Sequence, residues 1–420
     1  MEKGFKLAVL GGGSFACGFI PLFQAHPLVE KVGLAEFFPE RRKEVAERFG
    51  IEDVYENIDQ LCNSDYDAVA IFTQRWMHGP QAVQILKSGK DIYSAVPGAV
   101  SIDEIKSLVK TVEESGQMYM LGETSRYHPS NIFCRNKFAN NEFGDFVYAE
   151  AEYLHDMEHG FKKAYQHSGG EQWAQTASFP PMFYPTHSVG NVLSAVGGYM
   201  ESVSCLGFKD REDDGIFDKE ISMWDNDLSN QTALFRMSNG GMARINEFRR
   251  VGFRCTPGKE CVRLKVFGTK ATFEQNATVD NWICESAPPS AKNHNTTVHD
   301  VTDMLDARHK SFRHVELRGG EQDDFFSTLS QVHPKERLPQ SFAKLDNGHS
   351  GSHQFLVDDF CRAVITRKLP FTNVWFAARV SAAGVTAHAS ALQQGEKLLI
   401  PNLGYNPDNI PCLDYSEITY

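Results

Sequence analysis

No stretch of this 420-residue chain approaches the ~18 consecutive apolar residues that a membrane-spanning helix requires. Only four apolar residues separate the opening Met1–Lys6 segment from a glycine cluster, too few for a secretory signal. Basic residues are not in excess: 42 Lys and Arg face 54 Asp and Glu, a net charge of −12. Such a chain repels phosphate backbones, so nucleic acid is not an expected partner. There is no C-x-x-C, and the nine cysteines are scattered and odd in number. That argues against a disulfide framework or a zinc ribbon, and reduced thiols in a cytoplasmic protein are expected. Internal repeats and low-complexity tracts are also missing. The remainder is ordinary for a globular protein, with 41% hydrophobic and 23% charged residues. The length fits two or three domains at about 150 residues each.

The first 125 residues alternate apolar runs with helical patterns. Lys6–Leu10, Lys31–Ala35, Ala68–Phe72, Asp91–Ser94 and Met118–Leu121 read as strands. Glu40–Phe49, Gly79–Lys87 and Ile102–Glu114 read as helices between them. Strands alternating with helices predict a parallel sheet with helices on both faces.

The segment Gly11-Gly12-Gly13-Ser14-Phe15-Ala16 directly follows the first strand and reads G-x-G-x-x-A. Gly11 permits the tight turn, Gly13 lets the backbone approach a pyrophosphate, and Ala16 allows close helix–strand packing. Glu36 ends the second strand, 25 positions after Gly11. A carboxylate there accepts both ribose hydroxyls and repels a 2′-phosphate, so NAD is the expected cofactor. Arg41 follows closely and softens that preference. Ligands of open α/β sheets lie beyond the carboxyl ends of the strands. That brings Thr73, Trp76 and His78 after the third strand, Pro97 after the fourth, and Glu123 and Arg126 after the fifth toward one crevice.

With these motifs the sequence resembles the Gfo/Idh/MocA oxidoreductases over nearly its whole length. The resemblance rests on the G-x-G-x-x-A opening, the T-x-x-x-x-H of Thr73–His78, the turn at Ala95-Val96-Pro97, and a histidine well into the second domain. It implies an N-terminal Rossmann parallel sheet over residues 1–125 and an α+β domain over 126–420. The second domain would carry an open, mostly antiparallel sheet for substrate and oligomer contacts. A homodimer or homotetramer is expected on the same ground. Sugar dehydrogenases of this family carry E-K-P after the fourth strand and D-x-x-x-H in the second domain. Here Val96 stands at the lysine position and Phe183 at the aspartate position, so that proton relay is missing. Tyr184-Pro185-Thr186-His187 instead resembles the Y-P-T-H of NAD-dependent α-N-acetylgalactosaminidases, which also lack the lysine.

Past residue 125, Phe146–His155, Glu201–Phe208, Thr232–Met237, Gly241–Phe248, Arg263–Phe267 and Ala271–Glu274 read as strands. His353–Arg367 and Val374–Gln393 read as helices, and about 285–347 as a long polar loop or lid. His155-Asp156-Met157-Glu158-His159 matches H-x-x-E-H but follows an alternating strand, where i and i+4 do not share a face. A polar loop toward the sugar is the better reading, and no metal is expected. Tyr184 and His187, three apart, share a face if a helix begins there. His187 is therefore the candidate base, Tyr184 its partner, and Glu123 a carboxylate beside the nicotinamide. Trp76, Arg126, His155, His159 and His349 complete the candidate sugar contacts.

The leading expectation is an NAD-dependent enzyme moving a hydride at a sugar ring carbon, C3 of a glycoside first. A redox-neutral glycosidase that oxidises C3 transiently is the close alternative. A dinucleotide-binding ligand sensor is the alternative of another class.

Overall fold

The computed structural model describes residues 4–252, 261–285, 296–307 and 326–418. Six parallel strands form the first sheet: β1 (Phe5–Leu10), β2 (Val29–Ala35), β3 (Val54–Tyr55), β4 (Ala68–Ile71), β5 (Asp91–Ser94) and β6 (Tyr119–Leu121). Their order, β3-β2-β1-β4-β5-β6, reverses between β1 and β4. That switch point opens a crevice beyond the strands' carboxyl ends. The helices between obey local rules. Ser101 caps the Ile102–Ser115 helix by accepting from the Glu104 amide, and Gly116 ends it at φ 67°. β3 was not legible because it is two residues long and only half-buried.

The second sheet has nine strands: β7 (Phe146–Leu154), β8 (Met200–Lys209), β9 (Leu228–Met237), β10 (Met242–Phe248), β11 (Val262–Gly268), β12 (Ala271–Gln275), β13 (Asp280–Glu285), β14 (Thr296–Asp300) and β15 (Leu398–Leu399). All neighbours are antiparallel except β7 and β10. The fold is thus the expected parallel sheet followed by a mostly antiparallel one.

Register sorts the two faces of this sheet. Val203, Phe235, Ala243, Ala149, Val266, Phe273 and Trp282 pair in one continuous buried row. One residue along, the row reads Ser204, Leu234, Arg244, Glu150, Lys265, Glu274 and faces outward. The period of two separates core from surface along each strand. The Pro129–Ala139, Thr186–Val196 and Val374–Leu392 helices cover the inner face. The first of these escaped the sequence reading because Pro129 to Cys134 are buried without interruption, which erases the amphipathic stripe.

The chain then returns to the first sheet. In the Gly348–Thr366 helix, Phe355, Leu356, Phe360 and Val364 share a core with Phe5, Leu7, Phe23 and Tyr93. Phe360 meets the rings of Phe5, Phe23 and Tyr93 at 6.4, 6.5 and 5.8 Å. Residues 372–373 add to the edge at β6, where the Leu121 amide donates to the Thr372 carbonyl at 2.7 Å. Within the long polar stretch, β14 and short turns are described, while 286–295 and 308–325 lie outside the described residues. No helix among the described residues is long and apolar enough to cross a membrane.

Phe360→Ala removes a fully buried ring and should cost about 3–5 kcal/mol in urea denaturation. A loss below about 1 kcal/mol would mean that the returning helix is not part of the first sheet's core.

Candidate active site

The glycine turn has the geometry that a dinucleotide needs. Gly11 sits at φ 95°, and a Cβ there would lie 2.9 Å from the Phe72 carbonyl oxygen. At Gly13 a Cβ would meet nothing within 4 Å, so the backbone faces open space. Ser14 and Phe15 are exposed at this turn, while Ala16 is buried against the sheet. Glu36 is buried and accepts from the Gly12 amide at 2.7 Å and the Phe38 amide at 2.9 Å. Each carboxylate oxygen keeps a second lone pair, so hydroxyls of a ribose can still be accepted. Arg41 lies 3.7 Å from Glu36 and donates to the His167 carbonyl at 3.1 Å. That bond, with Gln74 donating to the Ser168 carbonyl at 2.8 Å, draws the end of the Phe161–Gly169 helix toward the first domain.

The loop after β4 divides its residues. Thr73 donates to Gln81 at 2.5 Å. His78 is buried, with Nδ1 2.9 Å from the Pro97 carbonyl and Nε2 3.1 Å from the Thr73 carbonyl. Burial pushes its pKa down to about 4. The neutral ring donates its one N–H to one of these two carbonyls, so His78 is buried between the loop and the Pro97 turn and does not face a cofactor, as the sequence reading had it. Trp76 packs beside the ring cluster of Phe161, Tyr165 and Phe179, and its buried Nε1 meets no partner among the described residues.

Glu123 stands two residues past β6, capping the 3-10 turn Thr124–Tyr127, and is wholly buried. Its Oε1 accepts from the Ser125 amide at 2.8 Å and lies 2.9 Å from Nδ1 of His187. His187 opens the Thr186–Val196 helix and is 5% exposed. Burial pushes the Glu123 carboxyl up, but the charge and hydrogen bond of His187, helped by Ser125, outweigh it and hold the group below the usual carboxylate range. An ionised carboxylate only accepts, so Nδ1 carries the proton of this bond, and Nε2 is the ring nitrogen that the bond leaves over. Oε2 of Glu123 has no partner among the described residues.

Tyr153, Glu247 and Arg249, which the sequence reading missed, stand around this pair with Tyr184. Tyr153 lies 4.9 Å from His187, ring to ring, and Tyr184 lies 5.2 Å away. Ser188 donates to Glu247, which also accepts from Arg249 at 2.8 Å. Burial pushes the Glu247 carboxyl up to about 7 against the pull of Arg249 and Ser188. Glu247 is directly opposite Tyr153 in the β7–β10 pair, so the buried row turns polar at the crevice end of the sheet. The E-F-R spacing of Glu247, on β10, and Arg249, just past its end, was the available signal, since i and i+2 share a face in extended chain.

A tight cleft against Tyr184 is lined by Arg75, Phe161, Tyr165, Phe179 and Arg249. His155 reaches its rim, with Nδ1 2.8 Å from the Tyr153 hydroxyl and its ring 4.0 Å from that of Phe161. His159 lies on a single turn of 3-10 helix, its carbonyl 3.3 Å from Nε2 of His155, so the pair does not share a helical face. Arg126 does not join the site. It covers the Phe371 ring at 3.6 Å and donates to the Ser194 carbonyl, about two helical turns beyond His187. Nor does His349, which stands 5.5 Å from Phe15 and 2.8 Å from His353, on the first domain's side. Val96 is buried in the apolar core, and Phe183 packs 4.9 Å from His388.

Residues 5–123 match the family model GFO_IDH_MocA, described as the oxidoreductase family with an NAD-binding Rossmann fold. The N-terminal domain is an NAD-binding Rossmann domain of this family. A glycosyl hydrolase family 109 protein of Shewanella pealeana is 29% identical over 147 residues, 35% of this chain and 32% of its own. Another, from Shewanella sp. (strain ANA-3), is 31% identical over 134 residues, 32% of this chain and 29% of its own. The matches thus span about a third of these curated relatives. An oxidoreductase from Agrobacterium radiobacter, solved with NAD+, L-tartaric acid and magnesium, superposes with TM-score 0.69 at 14% identity, covering 95% of this chain and 99% of that one. Levoglucosan dehydrogenase in complex with NADH and levoglucosan gives 0.68 at 16%, covering 95% and 100%. At such identities the likeness is one of fold.

Two measurements test the Rossmann domain and its carboxylates. Glu36→Ala should weaken NAD binding about tenfold or more while narrowing the preference over NADP, read by titration calorimetry. An unchanged preference would remove Glu36 from the ribose site. The lowered pKa of Glu123 supplies stability that is present above the ordinary value of 4.5 and lost as the pH falls through the folded-state value. The deficit of Glu123→Gln in urea denaturation, on the order of 1–3 kcal/mol, should therefore be largest above pH 4.5 and shrink below it. A deficit constant with pH would deny the charge pairing.

Proposed function

We propose that the protein is an NAD-dependent enzyme acting on a carbohydrate, taking a hydride from a ring carbon, with C3 of a glycoside the first candidate. The observation that carries this reading is the buried His187–Glu123 pair, set beside an aromatic, partly polar pocket in a fold that binds NAD. Bound nicotinamide supplies the hydride acceptor. The chain must supply the base, because hydride loss requires the hydroxyl proton to leave as well. Nε2 of His187 takes that proton, and Glu123 stabilises the imidazolium through Nδ1. Burial pushes the Tyr184 phenol up despite Arg75, so Tyr184 stays protonated and donates to the sugar instead of acting as base. Trp76 and Tyr184 offer flat faces to the ring's C–H groups.

A second reading, net hydrolysis of a glycoside with no net change of the cofactor, has its own support. The buried, apolar Val96 cannot serve a lysine's part, and the relatives named glycosyl hydrolase family 109 match about a third of this chain. Both readings use His187. Exposed Leu206, Leu234 and Met242 on the outer face of the second sheet support a homo-oligomer.

The test is to incubate the protein with NAD and methyl α- and β-glycosides, following the NADH absorbance and released sugar. Accumulated NADH with intact, oxidised glycoside supports the dehydrogenase. Released sugar without net NADH supports the hydrolase. His187→Ala should lower either turnover about 10²–10⁴-fold. Unchanged turnover in that variant would overturn the assignment of the base, and silence on every glycoside would overturn the enzymatic reading.

A further inference from the structure

Arg75 follows β4 on the 3-10 turn Arg75–Met77. Its guanidinium lies 4.9, 4.8 and 5.1 Å from the ring centres of Phe161, Tyr165 and Tyr184. No carboxylate among the described residues is within ion-pair distance of it, and its polar neighbour is the uncharged Tyr184 hydroxyl. Arg249, which lines the same pocket, donates to Glu247 at 2.8 Å. Aromatic faces attract a guanidinium but accept none of its five N–H donors along the fork. The pocket wall itself holds two arginines and no acid. Every other residue of that wall lies between Met157 and Arg249, in the second domain, so Arg75 reaches across the crevice to it.

We propose that the sugar accepted here carries an anionic group, a carboxylate or a sulfate or phosphate ester, held by Arg75. This rests on the carbohydrate reading above. A neutral sugar would leave the guanidinium's fork facing hydroxyls, whereas a carboxylate or ester oxyanion fits it in two parallel bonds. The pyrophosphate of the cofactor offers the same chemistry. Its place, however, is the glycine turn after β1, and the partners of Arg75 are rings of the second domain.

Calorimetry on the full chain saturated with NAD tests this with methyl glucuronide and methyl galacturonide, methyl galactoside 6-sulfate, and the neutral methyl glucoside and galactoside. At least one anionic probe should bind about tenfold or more tightly than its neutral counterpart. Arg75→Gln should bring that ratio close to one and leave the Kd for NAD within about twofold, while Arg75→Lys keeps part of the preference. Equal binding of anionic and neutral probes, or of none, overturns the proposal. So does a loss of NAD affinity in both variants, which would give Arg75 to the cofactor's phosphates. If Arg75→Gln fails to fold, the wild-type ratio and the lysine variant decide. Binding is read without turnover, so anion preference with no reaction on any sugar would sink the catalytic reading and leave this one standing.

Discussion

One hydrogen bond joins the two halves of the candidate site. Glu123 belongs to the end of the first sheet and His187 to a helix laid on the second, and their 2.9 Å contact is wholly shielded from solvent. Breaking such a pair leaves a carboxylate buried without its partner, which is costly, so the relative placement of the two domains is coupled to the charge state of the dyad. Two glycines make the burial possible. A Cβ at Gly122 would lie 2.2 Å from the Tyr93 hydroxyl, and one at Gly190 would lie 3.2 Å from Cγ of Glu123. The strand end and the helix close on the carboxylate because neither presents a side chain there. Ser125 adds a second tie, its hydroxyl donating to the His187 carbonyl at 3.1 Å.

The second sheet does more than support the helix. Along β7 and β10 the inward positions run from Ala149 and Ala243 through Ala151 and Ile245 to Tyr153 and Glu247. Small residues let the Thr186–Val196 helix settle close, and the polar pair at the end meets its N-terminal turn. There Ser188, the residue beside His187, donates to Glu247. A carboxyl that burial pushes up to about 7 next to Arg249 sits one residue from the proposed base, so the sheet contributes charge as well as shape.

The first sheet was legible because each of its devices is local. A run of apolar residues, a glycine turn and an acidic residue at the next strand's end are all near neighbours in the chain. Tyr184 and His187 were read as one helical face, but the helix begins at Thr186 and Tyr184 precedes it, its ring still 5.2 Å from that of His187. What escaped was built from distant segments. Tyr153, Glu247 and Arg249 meet only through strand pairing, and nothing in the sequence near Phe360 says that its helix crosses back to cover the first sheet. Arg126 and His78 were misread for the same reason. Both stand at the crevice end of their strands, but the Phe371 ring claims one and two backbone carbonyls claim the other.

The charge of the molecule and the charge of its pocket have opposite signs, and this bears on how a ligand is chosen. With a net charge of −12 the protein repels anions at long range. Arg75 and Arg249 are the charged groups of the pocket wall, and Arg75 has no carboxylate within ion-pair distance among the described residues. Beyond about 10 Å at ordinary ionic strength the long-range repulsion is screened, while the guanidinium acts inside that distance in a ring-lined, poorly solvated space. Recognition of an anionic group would then be short-ranged. Added salt would raise the encounter rate by damping the repulsion, and it would touch the bound state far less. Discrimination in such a site resides in the dissociation rate, set by contacts at Arg75 and Tyr184, and not in steering toward it.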